Sequence, residues 1–223
     1  MKTALIAGAS GLVGSELLQI LLQAEEYEKV YALVRRPLGL QHSKLTEVLC
    51  DFEQLEGVQD YFQVHDVFCC LGTTIKKAKT KEAMYKVDVE YPLAIAKLAQ
   101  EKGAHHFLLI SSMNANPRSK IWYPKMKGDL EEKIKEIPYQ AISIFRPSLL
   151  LGNREEFRLG ENAAAKIFQG MSFILKDSWK SKLAIEAKSV AKAMCRVAQM
   201  DNKGVAVYSA ASIEEIARAP HHK

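Results

Sequence analysis

Tyr123 and Lys127 are four residues apart, a spacing that puts a phenol and an ammonium on one face of a helix, one turn from each other. Pro124 fits only the first turn of a helix, so the helix carrying the pair is expected to start at Tyr123. Just upstream, Ser111-Ser112 closes a short apolar run. A hydroxyl, a phenol and an ammonium brought together form a set for moving protons. A phenol titrates near ~10, too high for efficient exchange at neutral pH, and a neighbouring ammonium favours the phenolate and should lower that value. Tyr123 would then give or take a proton at a carbonyl oxygen held by Ser112. Tyr-x-x-x-Lys alone is a common pattern; its place after Ser-Ser and a strand gives it weight.

A second constellation lies at the N-terminus. Gly8-Ala9-Ser10-Gly11-Leu12-Val13-Gly14 repeats glycine at every third position, after a buried apolar run and before a helical one. Glycine lets the backbone turn sharply and approach a pyrophosphate, and the helix N-terminus offers free N–H groups to it. The turn therefore reads as a dinucleotide site. In NAD binders an acidic residue usually follows the second strand and holds the ribose hydroxyls; here Arg35-Arg36 stands there. Two guanidinium groups suit a 2′-phosphate, so the expected cofactor is NADP(H). Its positive nicotinamide ring would add to the ammonium in favouring the phenolate, and Lys127 is placed to reach its ribose.

These residues need a scaffold that brings them to one edge. Thr3 to Ala7, Val30 to Val34, Leu45 to Leu49, Val67 to Leu71, Phe107 to Ile110 and Ala141 to Phe145 read as strands. Between them run helical patterns: Leu12 to Leu22, a long stretch from about Thr80 to Lys102 kinked by Pro92 and stopped by Gly103, and about Pro124 to Glu136. The alternation predicts an α/β fold, a Rossmann-type doubly wound parallel sheet with helices on both faces. Ligands bind such sheets outside the carboxyl ends of the strands. Past Gly152 the rhythm breaks, and residues 152–188 read as a small substrate-side lobe of a single domain spanning 1–223. Ser189 to Met200 reads as a helix and Val205 to Val207 as a strand, and Ser212-x-x-Glu215 as the capping box of a last helix.

Composition excludes several classes. The chain has 223 residues, enough for a large core without disulfides. Its net charge of +5 comes from 31 basic and 26 acidic residues on a mixed surface, which does not mark a nucleic-acid binder. No signal peptide or bilayer-spanning run is evident, so no membrane role is expected. Cys50, Cys69, Cys70 and Cys195 form no C-x-x-C pair, which reads as reduced structural thiols in a cytoplasmic protein. Cys69 and Cys70 should point to opposite faces of their strand. The histidines form no metal-ligand set; His105-His106 begin a strand. Lys76-Lys77-x-Lys79-x-Lys81 reads as a solvated loop at the rim of the cofactor cleft, and Trp122 and Trp179 as core or pocket aromatics.

In combination these motifs resemble the short-chain dehydrogenase/reductase superfamily, in its atypical branch. More narrowly, several segments resemble the Tat-interacting-protein oxidoreductase family across nearly the whole chain: Asp51-Phe52-Glu53, His65-Asp66-Val67, Cys69-Cys70-Leu71-Gly72-Thr73-Thr74, Lys127-Gly128-x-x-Glu131, Phe145-Arg146-Pro147 and Arg154-x-x-x-Arg158-x-Gly160-Glu161. The resemblance implies that Ser10 to Val13 touch the diphosphate, Arg35 and Arg36 the 2′-phosphate, and Asp51-Phe52 the adenine. It implies Leu71 and Gly72 beside the adenosine, Leu150 and Arg158 near the nicotinamide, Tyr123 as proton acceptor and Lys127 as its partner. Two departures stand out. Ser112 lies eleven positions before Tyr123, closer than usual, which keeps Ser111 a candidate; and Asp88 stands where many relatives carry Asn, which puts a proton relay through it in doubt. The expected function is NADPH-dependent reduction of a small carbonyl substrate. The alternative is an NADP(H)-binding regulator that acts through a protein partner, since such relatives are linked to protein interaction.

Overall fold

The computed structural model describes residues 1–151 and 184–220. Its frame is a seven-stranded parallel sheet. The strands are β1 (Lys2–Ala7), β2 (Tyr27–Val34), β3 (Leu45–Leu49), β4 (Asp66–Cys69), β5 (His106–Ile110), β6 (Ala141–Arg146) and, at the far edge, β9 (Gly204–Ser209). Their spatial order is β3-β2-β1-β4-β5-β6-β9. A two-stranded parallel pair, β7 (Leu149–Leu151) with β8 (Ala184–Glu186), lies outside that sheet. The chain winds outward from β1 in one direction and from β4 in the other. A crevice therefore opens between β1 and β4 at their carboxyl ends, where such sheets bind ligands.

β1 is an unbroken apolar run because both of its faces are covered. Ala4 and Ile6 enter one core, packed with Leu17 and Leu21 of α1 (Leu12–Gln23), Val190 and Met194 of α6 (Ala187–Val197) and Ile213 of α7 (Ala210–Arg218). Leu5 and Ala7 enter the other, packed with Val89, with Ile95 of α4 (Tyr91–Glu101) and with Met126 and Leu130 of α5 (Trp122–Lys135). Each such leucine withdrawn from water contributes roughly 1.5–3 kcal/mol. Cys69 belongs to the second core and Cys70 packs against the first, the expected alternation.

The long helix expected from Thr80 to Lys102 is three pieces. After the short helix α2 (Ile75–Ala78) come α3 (Lys81–Tyr85), capped by the Thr80 hydroxyl, a π-turn over Lys86–Glu90, and then α4. The break precedes Pro92 instead of falling on it. A proline has no N–H for the carbonyl four residues back, and its ring crowds that carbonyl, which here belongs to Asp88. Widening the turn relieves the clash, and the Tyr91 N–H bonds Lys86 O instead. The last helix also differs from expectation. Ser209, not Ser212, caps it, its hydroxyl accepting from Ser212 N at 3.2 Å, so Ser212 lies inside the first turn. Of the expected lobe, residues 152–183 lie outside the described residues, as do Arg158 and Trp179.

Candidate active site

The glycine turn is shaped by contact. Gly8 has φ +86°, and a Cβ there would lie 2.6 Å from Cys70 O; one on Gly14 would lie 2.1 Å from Gly8 O, and one on Gly11 3.1 Å from the same atom. Only glycine lets the turn fold on itself and press against the end of β4. Gly11 flanks α1 without a side-chain cap, which leaves first-turn N–H groups for a ligand. Ser10 is exposed, Leu12 half-buried and Val13 buried, so Val13 can meet a ligand only through its backbone. Arg35 and Arg36 are exposed beyond β2, and among the described residues neither guanidinium is in a salt bridge. Asp51 is exposed, while Phe52 is buried and stacked on Tyr91. Leu71 packs on the second core and Gly72 is exposed at the mouth of the crevice. Leu150 is half-buried, paired with Ile185 in the β7–β8 ladder. A dinucleotide fits this cradle, because the close-folded glycine backbone leaves the uncapped N-terminus of α1 facing it.

The second half of the site lies on α5. Ile121 flanks the helix and Trp122 opens it, one residue before the expected start, which still leaves Pro124 in the first turn. Tyr123, Lys127 and Glu131 then form a stripe at intervals of four. Tyr123 is 37% exposed, whereas Lys127 is 3% and Glu131 1% exposed. Ser111 is taken up elsewhere. Its hydroxyl donates to Glu131 Oε1, and Arg146 grips the same carboxylate through Nε at 3.0 Å and through Nη2. That fork ties α5 to the ends of β5 and β6. Ser112 is left for the site: its Oγ is buried with no well-formed hydrogen bond among the described residues, yet it lies near enough to the Tyr123 phenol to favour ionisation. Gly128 is essential beside Lys127, since a Cβ there would sit 2.2 Å from Pro117 N.

Asp88, on the π-turn, holds Lys127. Its Oδ1 is 3.0 Å from Lys127 Nζ, and its Oδ2 accepts from Thr73 N at 2.8 Å. The segment after β4 thus touches the glycine turn through Cys70 and the ammonium's partner through Thr73, joining the two halves. Burial alone would lower the Lys127 pKa, but Asp88 overrides it and the ammonium is held above its ordinary value. The Tyr123 phenol is also raised, chiefly by burial and further by Asp88, against the downward pulls of Lys127 and Ser112. This corrects the expected lowering: the cost of burying a phenolate outweighs the pull of the ammonium, and Asp88 offsets part of that pull.

Sequence reasoning missed Glu131, Arg146 and Gly128 as supports and did not foresee the ion pair at Asp88. Spacing held a signal for Glu131, four residues beyond Lys127 on the same helix face. The basic stretch is not a loop throughout: Lys76 and Lys77 lie in α2, and Lys81 opens α3 with its Nζ over the Trp122 ring at 5.6 Å.

A glycine cradle at the crevice of a doubly wound parallel sheet is the arrangement of an NAD(P)-binding protein, and known proteins agree. The NAD(P)H-binding family matches residues 8–139. Solved structures with the same fold include MoeE5 in complex with UDP-glucuronic acid and NAD, at TM-score 0.70 and 16% identity over 93% of this chain and 75% of that one. A UDP-glucose 4-epimerase from Thermotoga maritima with UDP-glucose gives TM-score 0.67 at 16% identity, over 93% and 76%. The chain belongs to the NAD(P)H-binding family and, within it, to the family of protein HTATIP2. The Rattus norvegicus HTATIP2 is 39% identical over 86% of this chain and 79% of its own length. Protein FMP52, mitochondrial, of Eremothecium gossypii is 32% identical over 75% of each chain. Among the described residues no helix is long and apolar enough to cross a membrane.

Proposed function

We propose that this protein is an NADPH-dependent reductase of a small carbonyl compound, with Tyr123 as the proton donor. The observation that carries the reading is the Ser112–Tyr123–Lys127 set, joined through Asp88 and Thr73 to the glycine cradle. Bound cofactor supplies a hydride to the carbonyl carbon. Tyr123 gives its proton to the carbonyl oxygen as charge builds there, and Ser112 Oγ holds that oxygen in line. Lys127 steadies the phenolate left behind and orients the cofactor ribose, and water then restores the phenol. Gly8, Ser10, Gly11, Leu12, Val13 and Gly14 receive the diphosphate; Arg35 and Arg36 take the 2′-phosphate. Asp51, Phe52, Leu71 and Gly72 border the adenosine, and Leu150 and Arg158 the nicotinamide end. The compartment is a reducing one, cytoplasmic in our reading, although the fungal relatives are named mitochondrial.

Thermal midpoints with NADPH and with NADH test the cofactor. A ligand at a hundred times its dissociation constant adds ~2.7 kcal/mol of stability, so NADPH should raise the midpoint and NADH leave it nearly unmoved. Replacing both arginines with Ala should weaken NADPH at least about tenfold, since each charge-assisted bond is worth roughly 1.5–3 kcal/mol. NADPH oxidation over aldehydes, ketones and quinones tests the reaction. Turnover that survives Tyr123→Phe unchanged removes the enzymatic reading, and a protein partner bound only with NADPH would establish the regulatory one.

A further inference from the structure

A balance of charge sits beneath the phenol, and it is not the arrangement that a proton-accepting tyrosine needs. Lys127 Nζ is fully enclosed. The groups that face it are Asp88 from the π-turn, Tyr123 from its own helix and Cys69 from β4. Those facing Tyr123 are Lys127, Asp88 and Ser112. Asp88 is 1% exposed and both of its oxygens are engaged, one by the ammonium at 3.0 Å and one by the Thr73 amide at 2.8 Å. A carboxylate placed this way is an ion-pair partner and carries no mobile proton. Its charge offsets part of the pull of Lys127 on the phenol, which burial already holds toward its neutral form.

We infer that Asp88 is a positioning residue that offsets part of the Lys127 charge, adds to burial in keeping Tyr123 in its proton-donor form in the resting protein, and so biases the site toward carbonyl reduction. The inference deepens the proposed reductase function and rests on it for direction, but its electrostatic part can be read without any substrate. In the reductive step the carbonyl carbon gains a hydride, the Tyr123 O–H bond breaks, and its proton goes to the carbonyl oxygen. Only the neutral phenol can do this. Pro92 contributes indirectly, because the π-turn it imposes is the backbone that carries Asp88.

The test is a tyrosinate absorbance titration of the whole protein. The wild-type curve minus the Tyr123→Phe curve isolates Tyr123. Ionisation above the ordinary phenol value of ~10 is expected, and ionisation at or below it overturns the inference. Asp88→Asn keeps an oxygen for Thr73 N–H but removes the charge. In that variant, measured against Asp88→Asn with Tyr123→Phe, the first proton should leave the Tyr123–Lys127 pair at least about one pH unit lower. The alkaline fall of kcat/KM for carbonyl reduction should move with it, whereas a merely structural Asp88 would lower the rate at every pH without moving the limb. An unchanged titration in a folded Asp88→Asn overturns the inference. Should that variant not fold, the same titration of Asp88→Ser, which also removes the charge, decides. A raised phenol in a protein that reduces no carbonyl would sink the reductase reading alone and leave the electrostatic assignment standing.

Discussion

Two buried clusters of the same three residue types lie at opposite edges of the sheet. At the amino edge, Tyr27, Asp66 and Lys2 begin β2, β4 and β1; at the carboxyl edge stand Tyr123, Asp88 and Lys127. At the amino edge, the Tyr27 hydroxyl donates to Asp66 Oδ2 at 2.6 Å, Lys2 Nζ lies 3.1 Å from that oxygen, and Gln199 donates to Tyr27 at 3.0 Å. The Tyr27 ring is fully buried, edge-on to Phe68, and burial followed by Asp66 drives its pKa far above the phenol range. At the carboxyl edge, the carboxylate takes the ammonium and a backbone amide, and the phenol reaches the cleft. Residue type therefore does not decide between a phenol sealed in the core and one open to the cleft. The partner chosen by the carboxylate, and the access of the phenol to solvent, decide it.

Removing each hydroxyl should give the widest separation. Tyr123→Phe is expected to lower turnover by about 10²–10⁴-fold with an unchanged NADPH midpoint shift, whereas Tyr27→Phe should leave turnover alone. Equal activity losses in steady-state assays would erase the distinction. Removing each ammonium should separate them next. Lys127→Met leaves Asp88 buried beside an apolar chain and should cost about 3–5 kcal/mol in denaturant unfolding. Lys2→Met should cost about 1–2 kcal/mol, because Lys2 is partly exposed and water can replace its ammonium. In stability, Tyr27→Phe leaves one buried lone pair of Asp66 less satisfied and should cost about 1–3 kcal/mol in the same measurement.

The last contrast concerns acid. His106 begins β5 beside Asp66, with Nε2 2.8 Å from the Ser143 hydroxyl. Burial lowers its pKa from 6.5 to about 4, partly opposed by Asp66 and assisted by Lys2. The unfolded chain then binds the extra proton first. This contribution is full above pH ~6.5 and is lost as pH falls toward about 4. Thermal midpoints across that window should fall less steeply in His106→Gln than in the wild type. Parallel slopes would mean that His106 takes no part in the acid response of the amino edge.

Most of the fold and part of the site are legible in the sequence. The run Thr3 to Ala7 announces a strand covered on both faces, and the heptapeptide from Gly8 to Gly14 announces the cradle, because the steric need for glycine is local. Tyr123 and Lys127 are legible as a pair since a helix fixes four-residue neighbours. The engagement of Ser111 is not, because it turns on Glu131, which reaches Ser111 from a helix and is itself held by Arg146 from another strand. The start of the last helix is ambiguous in the sequence because two serines, Ser209 and Ser212, both suit a cap, and only the end of β9 shows which comes first.

Sequence alone determined the order of strands and helices, the glycine turn and the residues that could move a proton, since each depends on neighbours within a few positions. Tertiary structure decided the charge state of those residues. Asp88 and Lys127 are far apart in the chain, and only the packing of the π-turn against α5 sets them 3.0 Å apart. Burial of the phenol outweighs the pull of the ammonium, and at that distance the carboxylate offsets part of that pull, because desolvation and Coulomb forces depend on surroundings and separation and not on order along the chain.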